Sequence, residues 1–355
     1  MRAIAFYLPQ FHPIPENDKW WGPGFTEWTN VVKARPLFRG HYQPHLPADL
    51  GFYDLRLPEA REAQANLAHA YGISGFCYYH YWFNGTRLLH KPFDEVLLSR
   101  TPKFPFCLCW ANENWTRRWD GLDQQVLIGQ SHSVDDDVRH ADYLVRAFSD
   151  DRYIKADGRP VFLVYRTALL PDPAQTVKIW RERVRAAGFP DLYLVRVESW
   201  GDYTTPQAIG FDAAVEFAPD FGVLRPRDGS RWSVRRRLRN RLMRYKGHHV
   251  TSRYETLAQR MLARPPVSYR QFRCVTPGWD NSPRRSSGAH IIVGSTPELY
   301  ENWLRVVATK TRKIYSGDEA FVFINAWNEW AEGNHLEPDQ RWGRAYLEAT
   351  ARGLS

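Results

Sequence analysis

Ala320-Phe-Val-Phe-Ile-Asn-Ala-Trp-Asn-Glu-Trp-Ala-Glu-Gly333 opens as a continuous apolar run and closes on two glutamates framed by tryptophans. The apolar part, 320–326, has the branched and aromatic side chains of a strand covered on both faces of a parallel sheet. Seven more runs share this character: 3–7, 73–79, 104–110, 160–165, 192–197, 213–217 and 272–276. Helical patterns fall between most of them, at 58–71, 94–99, 134–148, 173–187, 251–263 and 297–312, with a last one at 339–352. Ser133 reads as an N-cap followed by three aspartates in the first turn, Gly188 as a helix terminator, and Thr296-Pro297-Glu298 as a helix start. The connection at 204–209 has room for barely one turn.

Strand and helix alternating eight times over this length predict an α/β fold: a single (β/α)8 TIM barrel, one domain over 1–355. A doubly wound sheet would show a glycine-rich loop after its first strand, and Leu8-Pro9-Gln10-Phe11-His12-Pro13 has no glycine. The long first connection, 8–57, and an Arg-rich insertion after strand six, about 225–250, are excursions from the barrel.

Barrel enzymes place their chemistry at the carboxyl ends of the strands. Those ends are rich in rings and polar groups. Strand one ends in Tyr7, Gln10 and His12, strand two in His80, Tyr81 and Trp82. Strand three ends in Trp110, Asn112, Glu113, Asn114, Trp115 and Arg117, strand four in Tyr165 and Arg166. Strand five ends in Glu198, Ser199 and Trp200, strand six in Glu216, Pro219 and Asp220, strand seven in Trp279, Asp280 and Asn281. Strand eight ends in Asn328, Glu329, Trp330 and Glu332, with His335 just beyond. Flat rings beside hydrogen-bonding groups are what a sugar-binding cleft needs.

Glu329 and Glu332 are the candidate catalytic pair. A helical turn would set their Cβ atoms about 5–6 Å apart, and the carboxyl groups of retaining glycosidases stand about 5–5.5 Å apart. Two acids on one turn oppose each other's ionisation, so one keeps a proton near neutral pH and serves as general acid. The rival reading makes Glu332 a turn cap before Gly333 and Glu337 a surface acid. Glu113 and Glu216 are competing carboxylates, better read as partners for arginines such as Arg117, Arg118 or Arg166. His12, His80 and His335 read as packing or hydroxyl-binding groups.

The net charge of +9 is local. Residues 225–246 hold ten Lys/Arg and one acid, and the rest of the chain balances at 38 of each sign. Within it, Val234, Leu238, Leu242 and Tyr245 recur at helical spacing among arginines, a basic amphipathic helix. Residues 230–247 are thus expected either as a solvated face or as a peripheral contact with an anionic membrane, where a lipid-linked glycan would lie. Acidic polysaccharide is a further candidate partner; nucleic acid is not expected. Cys77, Cys107, Cys109 and Cys274 lie in apolar runs and read as buried thiols of a reducing compartment. No signal-peptide pattern and no apolar run near the roughly 20 residues of a membrane span occur, so a cytoplasmic location is expected, peripheral at the inner membrane face if the basic helix docks there. No metal site is expected, since Cys107-x-Cys109 has no second pair at zinc-type spacing, and acid–base chemistry needs no cofactor.

Five segments together carry a resemblance: Phe6-Tyr-Leu-Pro-Gln-Phe-His12, Gly24-Phe-Thr-Glu-Trp28, Tyr79-His-Tyr-Trp82, Trp110-Ala-Asn-Glu-Asn-Trp115 and Trp327-Asn-Glu-Trp-Ala-Glu-Gly333. The chain resembles the WbsX-type glycosyltransferases of surface-polysaccharide gene clusters, which are similar to glycoside hydrolase family 99, the endo-α-mannosidases. The resemblance implies a (β/α)8 barrel and a carbohydrate-active enzyme working on a bacterial surface polysaccharide, O-antigen-like, or its precursor. It adds Trp28 to the candidate sugar contacts. It implies retaining chemistry through a 1,2-anhydro sugar, with Glu329 deprotonating the 2-hydroxyl and Glu332 protonating the leaving oxygen. Hydrolysis and transfer to another sugar both fit, and a barrel that only binds glycan is the alternative. The segment from Trp110 to Arg118 belongs to the WbsX branch, so mannosidase substrate contacts do not carry over to it.

Overall fold

The computed structural model describes residues 1–117, 122–199, 201–202, 204–224 and 249–355. Trp200, Arg118 and the basic helix expected at 230–247 lie outside the described residues. Eight strands form the barrel: β1 (Arg2–Tyr7), β2 (Gly75–Phe83), β3 (Phe106–Trp110), β4 (Arg159–Val164), β5 (Tyr193–Glu198), β6 (Ala213–Glu216), β7 (Gln271–Val275) and β8 (Phe321–Ile324). Each pairs in parallel with the next. β8 pairs in parallel with β1, placing Ala5 opposite Ile324, and the sheet closes. Each apolar run of the sequence is one strand, within a few residues at either end.

Successive side chains of a strand point to opposite faces, and both faces here are buried. Phe6, Tyr79, Tyr165, Phe217 and Phe323 meet inside the barrel: Phe6 lies 5.6 Å from Tyr79 and 5.7 Å from Phe323, and Tyr165 lies 5.2 Å from Phe217. The other face packs on helices. Tyr7 donates to Gln64 in the helix Pro58–Ala70 at 2.6 Å, and Trp110 packs on Trp180 in the helix Pro173–Ala186. All four cysteines are buried and free.

The helix starts follow local chemistry. The hydroxyls of Ser133 and Thr296 accept from backbone N–H groups three residues on, as N-caps do. Gly188 adopts φ 93° just past the helix Pro173–Ala186. Two expected helices start late, and the last one, expected from 339, begins at Ala345. The helix expected from 251 begins at Tyr254, because Val250–Arg253 joins a small sheet with His290–Val293 and Trp279–Asp280. The long first connection folds back over the carboxyl end, carrying the helices Pro15–Trp21 and Glu27–Lys33. An isolated bridge from Pro47 to Asp339 ties it to the segment after β8.

Candidate active site

A cavity of about 720 Å³ opens at the carboxyl ends of the strands. Its rings are Trp21, Tyr79, Tyr81, Trp115, Tyr165, Phe217, Phe221 and Trp279, and its charged lining includes Glu113, Glu198, Asp220, Arg284, Arg285, Glu329 and Glu332. Strand parity decides who lines it. On β2, Tyr79 and Tyr81 face the cavity, while His80 and Trp82 face helix Val134–Phe148.

The segment after β8 forms a tight hairpin. Asn328–Glu329 pairs antiparallel with Asn334–His335 across a single turn of 3₁₀ helix, Trp330–Glu332. Gly333 closes the turn at φ 55°, a left-handed conformation that glycine adopts without a Cβ penalty. Both glutamates emerge toward one guanidinium. Arg284 donates from Nη2 to Glu329 Oε2 at 2.9 Å and from Nη1 to Glu332 Oε1 at 2.8 Å. The same side chain donates from Nε to Glu27 Oε1 at 2.9 Å. Glu27 is fully buried at the first position of its helix, and its backbone N–H is held by the carbonyl of Gln10.

Three carboxylates thus share one half-buried arginine. Burial works against the charge of Arg284, but Glu27, Glu332 and Glu329 push its pKa well up. Burial pushes Glu329 up to about 8; Arg284 pulls it down, and Glu332 and Glu27 add to the rise. Burial also raises Glu332, against the pull of Arg284. Burial and the neighbouring carboxylates outweigh the pull of Arg284, and for Glu332 that of Arg285 as well, which favours a proton held by the Glu329–Glu332 pair at neutral pH. That proton belongs to the pair rather than to either residue.

Comparison with known proteins gives this geometry a family. A family model described as "Glycosyltransferase WbsX" matches residues 3–350. The chain belongs to the WbsX glycosyltransferase family. It is 47% identical over 353 residues to WxcX, an uncharacterized protein, from two strains of Xanthomonas campestris pv. campestris. That match covers 99% of this chain and 49% of WxcX, so the chain spans about half the length of those relatives. The barrel is also similar to a GH99 endo-alpha-mannosidase from Bacteroides thetaiotaomicron, at TM-score 0.59 and 13% identity, over 99% of this chain and 96% of that one. A structure described as a glycoside hydrolase-like protein aligns at TM-score 0.59 and 15% identity, over all of this chain and 94% of the other. At such identities the likeness is one of fold.

Of the residues read from the sequence of this WbsX-family chain, Gln10, Tyr81, Glu113, Asn114, Trp115, Tyr165, Glu198, Ser199, Pro219, Asp220, Trp279, Asn281, Glu329 and Glu332 line the cavity. Tyr7, His12, Trp28, His80, Trp82, Trp110, Glu216 and Asp280 stand outside its lining. Tyr7 and Trp110 point to the helix layer. His80 lies 3.0 Å from His140, and Trp82 donates to Asp136 at 3.0 Å. His12 is buried at the start of the first connection, and burial lowers its pKa to about 4. Trp28 donates to the carbonyl of Tyr53 and packs on Trp330. Glu216 is buried and paired with Arg273 and Arg264, and Asp280 is held by His41 and Gln43 at 2.6 Å each.

Two asparagines act as staples. Asn328 accepts from Leu8 N at 2.7 Å and donates to Leu8 O at 3.0 Å, joining the ends of β1 and β8. Asn112 makes the same paired contact with the backbone of Arg166, which in turn holds Glu113 at 2.5 Å. Trp330 stacks on His335 with centroids 3.7 Å apart and donates to Glu337 at 2.6 Å. The surface-acid reading of Glu337 is corrected: it is 2% exposed and accepts also from Tyr53 and Gln64. Burial pushes its pKa up to about 7.

Sequence reading missed Glu27, Arg284, Tyr79 as a lining ring, and His290. Glu27 lies inside a motif quoted for the family, and Arg284 lies four residues after the Trp279-Asp280 pair at the end of β7. Tyr79 was reachable by strand parity from Tyr81. Nothing in the sequence pairs Glu27 with Arg284 across 257 positions.

Proposed function

We propose that this barrel is a carbohydrate-active enzyme that cleaves or forms glycosidic bonds with retention, on a bacterial surface polysaccharide or its lipid-linked precursor. The observation that carries the reading is the clamp of Glu329 and Glu332 on the two terminal nitrogens of Arg284, at the edge of a ring-lined cavity. A pair that shares one proton offers an acid and a base together, which glycosidic bond chemistry requires.

In this reading Glu329 takes the proton of the sugar 2-hydroxyl, and the 2-oxygen attacks C1 from the face opposite the leaving oxygen. Glu332 gives its proton to that oxygen as the C1–O bond breaks, leaving a 1,2-anhydro sugar. Glu332, now ionised, takes a proton from the incoming hydroxyl, which attacks C1. The C1–O2 bond breaks, O2 recovers its proton from Glu329, and two inversions give net retention. The roles require the shared proton to sit on Glu332 when substrate is bound. Both acids are pushed up, so the shared proton is available to Glu332. The 2-hydroxyl, donating to Glu329, favours its ionised form.

Water as acceptor gives hydrolysis; a sugar hydroxyl gives transfer. The experiment is product analysis by mass on α-linked oligosaccharides with the parent chain and Glu332→Gln. The expected result is turnover by the parent and a loss of about 10²–10⁴-fold in the variant. Unchanged turnover in Glu332→Gln overturns the assignment, and glycan binding by the parent without turnover supports a binding barrel instead. For the insertion, we infer peripheral docking on anionic membrane from its pattern of arginines and apolar residues. Equal pelleting with anionic liposomes, with and without 230–247, would remove that reading. Among the described residues no helix is long and apolar enough to cross a membrane.

A further inference from the structure

Beside the hairpin, outside the cavity lining, three metal-ligating side chains converge from distant parts of the chain. His45 Nδ1 lies 2.9 Å from His335 Nε2, and His335 Nε2 lies 3.9 Å from Asp339 Oδ2. The three donor atoms all fall within 4.8 Å of one another. Nothing in the proposed glycan chemistry uses them.

Each donor is oriented by a partner of its own. His335 Nδ1 lies 2.9 Å from the carbonyl oxygen of Glu337, so Nδ1 carries the ring proton and Nε2 keeps its lone pair. A ligating histidine typically donates its other ring N–H to a carbonyl in this way. Its ring is further fixed by the stack on Trp330. His45 stacks on Tyr42 with centroids 4.2 Å apart. Asp339 Oδ1 accepts from the backbone N–H groups of Arg341 at 3.0 Å and Trp342 at 2.6 Å, the Tyr42 hydroxyl also bonds this carboxylate, and Oδ2 stands 3.9 Å from His335 Nε2. The two backbones are tied together by Ala48 N to Pro338 O and Gln340 N to Leu46 O, each 2.9 Å.

We propose that His45, His335 and Asp339 bind a divalent cation of the zinc class, clamping the β1–β2 connection to the hairpin that carries Glu329 and Glu332. Two imidazole nitrogens and one carboxylate oxygen form a donor set for zinc, cobalt or nickel rather than for magnesium or calcium. Zinc–nitrogen bonds of about 2.0–2.1 Å need tetrahedral donors about 3.3–3.5 Å apart, so on binding the two histidine nitrogens, 2.9 Å apart, open by about 0.5 Å and Asp339 Oδ2, 3.9 Å from His335 Nε2, closes by about as much. The proton between the two facing nitrogens, carried by His45 Nδ1, moves to His45 Nε2. Water fills the fourth position. The clamp is independent of the glycan reading, because none of its ligands reaches the cavity.

The test uses the full chain, free of any histidine tag and stripped by a chelator. Zinc chloride is titrated by calorimetry, and cobalt chloride is followed by its visible absorption. One equivalent should bind saturably, cobalt should give a tetrahedral-type band, and zinc should raise the melting temperature. Asp339→Asn keeps an oxygen for the two backbone N–H groups while removing the charge, and His45→Gln removes a ligand. Both should weaken zinc binding at least tenfold with the metal-free melting temperature close to that of the parent. Absence of saturable binding by the parent, undiminished binding by both variants, or equal affinity for magnesium would overturn the proposal.

Discussion

The indole of Trp330 donates to the buried carboxyl of Glu337 at 2.6 Å, seven residues further on. The contact anchors the middle of the turn that carries Glu329 and Glu332, and Glu337 is itself held by Tyr53 and Gln64. Burial outweighs these donors and lifts its pKa to about 7.

A carboxyl whose pKa is raised on folding contributes stability fully below its unfolded value, near 4.5, and loses it as pH rises through about 7. At about 1.4 kcal/mol for each tenfold change in proton affinity, the loss is on the order of 3 kcal/mol. Glu337→Gln abolishes that titration. Its melting temperature relative to the parent should therefore climb as pH goes from about 5 to about 8. Thermal melts across that range check it; a difference that stays flat from about pH 5 to about 8 would mean Glu337 is already ionised when folded.

Arg284 is the cation for three carboxylates, and Glu27 is fully buried against it. Arg284→Ala leaves that charge unpaired and should cost about 3–5 kcal/mol by denaturant unfolding. Adding Glu27→Gln removes the unpaired charge and should recover much of the loss. Arg284→Lys keeps the charge but cannot reproduce contacts from Nε, Nη1 and Nη2 on a planar fork. It should retain more stability than Arg284→Ala while lowering turnover about 10²-fold, since a misdirected acid–base pair loses most of its effect.

In the proposed chemistry the shared proton sets the pH dependence of turnover. Because burial and neighbouring carboxylates raise Glu329 to about 8 and raise Glu332 too, the proton of the pair persists through neutral pH. Turnover needs one member protonated and one ionised, so kcat/KM should fall on the alkaline side as pH passes about 8. The acid limb reports ionisation of the other member. A rate profile flat from neutral pH to about pH 9 would show that neither glutamate's proton enters the rate-limiting step.

The barrel was legible because its strands are buried on both faces, and burial on both faces writes a continuous apolar run. That same feature hid the site. A strand such as Tyr78-Tyr-His-Tyr-Trp82 has rings on both faces, so composition alone does not tell which ones reach the cavity. His80 and Trp82 turned out to pack on a helix while Tyr79 and Tyr81 line the cleft. Glu329 and Glu332 were legible because three residues separate them. Arg284 was not, because it approaches from the short 3₁₀ turn Ser282–Arg284 after β7, and tertiary folding alone brings Glu27 to it. His45, His335 and Asp339 escaped for the same reason: the first is 290 residues from the second, far from any zinc spacing.

Gly333 connects the backbone to the chemistry. At φ 55° an added Cβ would stand 3.0 Å from the Cβ and 3.1 Å from the backbone nitrogen of Asp280. Asp280 is itself held by His41 and Gln43, so it has little freedom to withdraw. Gly317 is the matched control: its φ is 64°, but no atom lies within 4 Å of the added Cβ, and it precedes β8 at the opposite end of the barrel. Gly317→Ala should cost only the left-handed backbone penalty, about 1 kcal/mol. Gly333→Ala adds the clash and should cost about 2–3 kcal/mol. Only Gly333→Ala should also lower turnover, since relieving the clash moves the turn that aims Glu332 at Arg284. Unfolding and kinetic measurements on the two variants separate the effects. Equal turnover in both would show that the hairpin absorbs the added methyl without moving its carboxylates.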